Sequence, residues 1–172
     1  MKAATVHEIK KELSSLKPSG LMELCLRLAR FKKENKELLT YLLFEAHNES
    51  GYIESVKKEI DELFGTINVS HLYFVKKTLR KIVRAINKYS RYSGNRQTEI
   101  ELRIYFCTKL KNSGIQFSRN KVINNLYQGQ LQKINTILET LHEDLQHDYS
   151  KDLELLKKAE EEKKSWTLFR RK

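Results

Sequence analysis

Seven side chains in one stretch are of the types that hold an anion: Lys77, Arg80, Lys81, Arg84, Lys88 and Arg91, preceded by Tyr73. Placed on a helix of 3.6 residues per turn, Lys77, Lys81, Arg84, Lys88 and Arg91 fall within a sector of roughly 80°, flanked by Tyr73 and Arg80. Leu72, Val75, Leu79, Ile82, Val83 and Ile86 take the opposite side. No Asp or Glu occurs between Leu63 and Thr98, so these cations lack the partners one helical turn away that neutralise an ordinary polar face. Cations in such a row repel one another, and an anionic polymer would relieve the repulsion. Lys and Arg neutralise phosphates without reading sequence, and a tyrosine at the margin can stack on an unpaired base. The competing reading is a solvated face that only keeps the chain soluble. A basic helix lying on a membrane is a third reading, but core burial accounts more simply for its apolar side.

Other chemistry is thinly supplied. Asn120, Asn124, Asn125, Gln128, Gln130, Gln132 and Asn135, beside Arg119, Lys121 and Lys133, could bond sugar and phosphate oxygens, or form a neutral polar surface. Glu139 and His142 have the spacing used in carboxylate-bridged di-iron bundles, yet the chain has no second such pair. His142 and His147 lie about 140° apart on a helix and cannot share a metal as the histidines of HExxH do. There is no glycine-rich phosphate loop, no zinc spacing and no Ser/His/Asp arrangement. The sequence therefore offers no catalytic residue, no cofactor and no metal ligand, and it gives no positive support to an enzyme.

The elements that must position the basic row come from composition and periodicity. A chain of 172 residues fits one domain able to bury a substantial core. Charge is unevenly spread: residues 1–62 carry 11 Lys/Arg and 11 Asp/Glu, residues 63–138 carry 14 and 2, and residues 139–172 carry 8 and 9. One Pro and six Gly among abundant Leu, Lys and Glu describe helices joined by short turns. Cys25 and Cys107 fall at apolar helical positions without a CxxC neighbour, so each is expected to be a buried, reduced thiol. The absence of a signal-peptide core and of an apolar run longer than Leu38–Phe44 points to the cytoplasm and away from the membrane.

Along the chain, Thr5 and Glu8 form a capping box before Val6, Ile9, Leu13 and Leu16. Pro18 ends that helix, and Ser19 is expected to cap a second with Leu21, Leu24, Cys25, Leu28 and Phe31 inward. Residues 32–36 read as a connection to a third helix over 37–47, and a fourth buries Ile53, Val56, Ile60, Leu63 and Phe64 before Gly65. Ser70 is expected to cap the basic helix, 70–92. The next, 96–112, is apolar nearly all round and so belongs at the centre. A stripe from Val122 to Leu145 allows one helix through Gly129, or two meeting there. The expectation is an all-α fold of seven to nine helices, an irregular bundle or a short stack of antiparallel helical hairpins. Residues 1–148 would form one domain and 149–172 a charged tail, helical or mobile: Ser150 could cap a final amphipathic helix with Leu153 and Leu156, and the segment beyond it would be mobile or docked only by Trp166 and Phe169.

Leu13, Leu16, the Leu21–Leu28 helix, Lys33, Asn35, Glu37, Tyr41 and Leu42 resemble a small family of uncharacterised bacterial all-helical proteins. The resemblance implies a helical fold in a bacterial cytoplasmic protein and no activity. The leading expectation is a non-enzymatic module binding nucleic-acid phosphates through helix 70–92. The alternative is an adaptor for an acidic or helical protein partner.

Overall fold

The computed structural model describes residues 2–117 and 120–169, with side chains as far as Lys157. The fold is all-α: α1 (Val6–Ser15), α2 (Pro18–Phe31), α3 (Lys33–Thr40), a π-helical turn (Tyr41–Glu45), α4 (Glu49–Gly65), α5 (Leu72–Ser93), α6 (Arg96–Asn112), α7 (Lys121–Leu138) and α8 (Glu143–Phe169). No described helix is long and apolar enough to cross a membrane. The chain divides into two compact units, residues 1–47 and 48–172, where composition led to one domain over 1–148 and a tail beyond it.

In residues 1–47, α1 opens on the expected capping box. The Glu8 amide donates to the Thr5 hydroxyl at 3.3 Å, and the Thr5 amide donates to the Glu8 carboxylate at 2.7 Å. The backbone bond from Thr5 holds the Glu8 carboxyl below its usual range. α2 starts two residues earlier than expected, capped at Lys17 rather than Ser19 and with Pro18 as its first residue, because the fixed φ of proline suits that position. Residues 33–36 are helical, and α3 packs on α2, with the Asn35 amide donating to the Leu28 carbonyl at 2.9 Å. α1, α2 and α3 bury none of their residues. Leu24, Leu28 and Phe31, expected inward, are exposed, and so is Cys25. Cys25 is therefore not the buried thiol its position implied: three short helices cannot enclose their own apolar stripes.

Residues 48–172 hold the core. Of the buried apolar side chains among the described residues, Tyr41 alone lies in residues 1–47. α6 is central as expected, packed by α4, α5, α7 and α8, so that α4–α5–α6 and α6–α7–α8 form two triads sharing one helix. Ile100, Leu102, Phe106, Cys107 and Leu110 are fully enclosed, and Phe64 of α4 meets Phe106 with ring centroids 5.8 Å apart. Polar bonds stitch the triads at their edges. Ser93 and Thr98 both donate to Glu49, which joins the start of α4 to the α5–α6 corner. That corner turns on Gly94, at φ 67°, a left-handed conformation that glycine adopts at little cost.

α7 runs unbroken through Gly129, and a Cβ there would meet nothing within 4 Å. The break falls later, over Glu139–His142. There the Thr140 amide and hydroxyl both donate to the Ile137 carbonyl, at 2.9 and 2.7 Å. The tightened turn satisfies an end carbonyl and reverses the chain, so α8 returns along α7 and α6. Leu153 and Leu156 are buried, Tyr149 donates to Glu101 at 2.9 Å, and the Lys111 ammonium donates to the Leu155 carbonyl at 3.1 Å. The segment from 149 to 156 is thus part of the folded body rather than a peripheral tail. The readings of Trp166 and Phe169 as anchors, and of Arg119 as a phosphate contact, lie outside the described residues and side chains.

Candidate functional site

α5 has the two-sided character that its spacing predicts. Val75, Leu79, Ile82 and Ile86 are at most 2% exposed, and their burial contributes on the order of 6–12 kcal/mol. That face fixes the helix against α4 and α6. Lys77, Arg80, Lys81, Arg84, Arg91 and Tyr73 are all exposed. Lys88 is half-buried, its ammonium 4.4 Å from the centre of the Tyr89 ring and 5.9 Å from that of Tyr92. The helix begins at Leu72 rather than on Ser70, which bonds Asn68 instead. Leu72, expected inward, is exposed in consequence. No side chain caps the first turn and no acid occupies it, so nothing offsets the positive end of the helix dipole.

Among the described residues, Lys77, Arg80, Lys81, Arg84 and Arg91 take part in no ion pair or hydrogen bond. Acids on neighbouring helices are committed elsewhere. Glu99 holds Arg103 at 2.6 Å and Arg96 at 3.2 Å; Glu101 holds Lys57 at 3.9 Å and accepts from Tyr149. Asp61 pairs with Lys109 at 3.0 Å and accepts from the Tyr105 hydroxyl at 2.7 Å. Glu59 accepts from Tyr89. Glu99 and Glu101, the acids nearest the row in sequence, therefore do not neutralise it. Burial and the bond to Asp61 push the Tyr105 hydroxyl upward, and the bond to Asp61 raises the Lys109 ammonium; both shifts belong to the α4–α6 seam, away from the basic row.

The amide run after Arg119 separates into different jobs. Asn120 caps α7, accepting from the Val122 and Ile123 amides. Gln130 is turned inward and accepts from Arg103 at 2.6 Å. Asn125, Gln132 and Asn135 are exposed. The Glu139 and His142 pair is not on one helix: Glu139 is the residue that caps the end of α7, and exposed His142, in the turn that follows, lies 3.4 Å from Asp144 of α8. Among the described residues no three His, Cys, Asp or Glu side chains gather as a metal site would require.

Two features escaped the sequence reading. Phe74 is 45% exposed beside Tyr73, which is 69% exposed; the signal was the phase of Phe74 on the helix, about 60° from Lys77. Arg103 is one of the basic residues of the middle segment but is buried at 2% exposure; the signal was its place four residues after Glu99 on a helix apolar nearly all round. No protein-family model, curated protein or solved structure matches the chain.

Proposed function

We propose that the protein is a non-enzymatic module that holds nucleic acid by its phosphate backbone, through the exposed face of α5. The observation that carries this reading is the set of five exposed cations without an acidic partner, on a helix whose other side is locked in the core. Along the row Lys77, Lys81, Arg84, Lys88 and Arg91, successive cations lie about one helical turn, or about 5.4 Å, apart, a step suited to following a phosphate chain. With about five contacts, log K should fall against log[salt] with a slope of roughly −3.5 to −4.5. Lys77→Glu, Arg80→Glu, Lys81→Glu and Arg84→Glu together should abolish binding while the thermal melt stays nearly unchanged, since all four side chains are exposed. Gel shifts with mixed DNA and RNA that show no complex at low salt would end this reading.

A second reading, an adaptor for an acidic or helical protein, is favoured by one observation in residues 1–47. Among the described residues, twelve large apolar side chains there are exposed, among them Val6 at 83%, Phe31 at 75% and Phe44 at 67%. Val6, Ile9, Leu13 and Leu21, with Lys10 and Ser14, line an open groove of about 430 Å³. Contiguous apolar surface of this kind marks interaction sites. Loss of a pulled-down partner on changing Phe31 and Phe44 to Glu would support it.

A further inference from the structure

The N-terminal end of the α5 row carries more than charge. Tyr73 and Phe74 sit one helical turn ahead of Lys77, on either side of the line that the cations follow. Both are exposed, at 69% and 45%, and their rings meet edge to face with centroids 5.5 Å apart and planes at 77°. His71 lies against Phe74, centroids 6.1 Å apart, and Val69 and Leu72 beside them are 71% and 54% exposed. An edge-to-face contact occupies little of the Tyr73 ring, so most of it stays open to solvent. Exposed aromatic rings continuing a row of unpaired cations match what an unpaired strand presents: a base face next to a phosphate chain. A duplex offers its phosphates and the edges of its bases, but its base faces are stacked inside. Charge complementarity thus selects a polyanion, and the rings select one whose bases are free.

We infer that this end of α5 is a base-stacking platform and that the ligand of the ridge is single-stranded nucleic acid. The inference rests on the phosphate-binding reading above and narrows it. Tyr73 and Phe74 would each carry one base, with Lys77, Lys81 and Arg84 taking the phosphates that follow.

The test uses the full chain and three fluorescein-labelled probes of equal length at low salt, read by anisotropy: a single strand of mixed sequence, its duplex, and an abasic strand with the same phosphates. The expected result is binding to the single strand at least about tenfold tighter than to the other two. Tyr73→Ala and Phe74→Ala should each weaken single-strand binding by about 5- to 100-fold, leaving duplex binding and the salt slope unchanged. Tyr73→Phe, which keeps the ring, should bind as the parent does. Both residues are exposed, and a circular-dichroism melt confirms that each variant is folded. Equal binding to strand and duplex, untouched by the two alanine variants, overturns the platform and leaves phosphate binding intact. Binding to none of the three probes overturns both.

Discussion

Arg103 is the one charged side chain buried among the described residues. Its guanidinium donates to Glu99 at 3.1 and 2.6 Å, to Gln130 at 2.6 Å and to Asn87 at 2.9 Å. A single side chain on α6 thus ties α5 and α7 to the central helix. A buried charge is tolerated only when its donors are met, and the fork of arginine meets three partners at once. Removing it leaves the inward Gln130 without its donor and Glu99, mostly buried, with only the more exposed Arg96. Arg103→Ala should therefore cost about 3 kcal/mol or more in urea unfolding. Nucleic-acid binding, measured where parent and variant are both folded, should be unaffected. The ridge substitutions invert that pattern, losing affinity without stability, so the pair of measurements separates the cations that hold the fold from those that face outward.

At the scale of elements, the helices that bury a face were legible because apolar residues recurred with the helical period: α5 and α6 stand within two residues of their expected bounds, while α4 starts on Glu49, inside the polar run 48–51 that reads as a break. The basic face was legible for the same reason, since phase alone separates Lys77 from Leu79. Ends were less so. Ser70 could have capped α5, but an Asx turn with Asn68 engages it first, and local side-chain bonds of this kind compete with helix starts. The stripe from Val122 to Leu145 hid a reversal at Thr140, because periodicity records which face is apolar and not whether the axis continues. Residues 1–47 were misread in the opposite sense: their stripes are real, yet nothing within the unit covers them.

The docking of α8 leaves a pH signature. Burial and the bond to Glu101 push the Tyr149 hydroxyl up to about 12. Its neutral form is favoured in the folded state, so the native protein holds that proton after an unfolded tyrosine has lost it. The resulting stability is complete below about pH 10 and drains away as pH rises toward 12. Thermal melts from pH 9 to 12 should fall, and Tyr149→Phe should flatten part of that slope while lowering the plateau by about 1 kcal/mol for the lost bond.

For the whole molecule, the apolar core belongs almost entirely to residues 48–172. Its last members, Leu153 and Leu156, are the pair that helical spacing puts on one side of the final helix, in a segment otherwise expected to be peripheral. Truncation at Asp148 should therefore lower stability by about 3–6 kcal/mol, two fully buried leucines, seen as a marked drop in melting temperature. An unchanged melt would mean that α8 contributes nothing to the core.

The missing counter-acids on α5 also bear on kinetics. A row of unneutralised charge about 21 Å long, from Lys77 to Arg91, projects its field a Debye length outward, about 30 Å at 0.01 M salt and about 8 Å at 0.15 M. Rings act only on contact. Added salt should then slow capture of a strand steeply while its residence time, set by stacking on Tyr73 and Phe74, shortens far less. Arrival and departure would answer to different ends of the same helix.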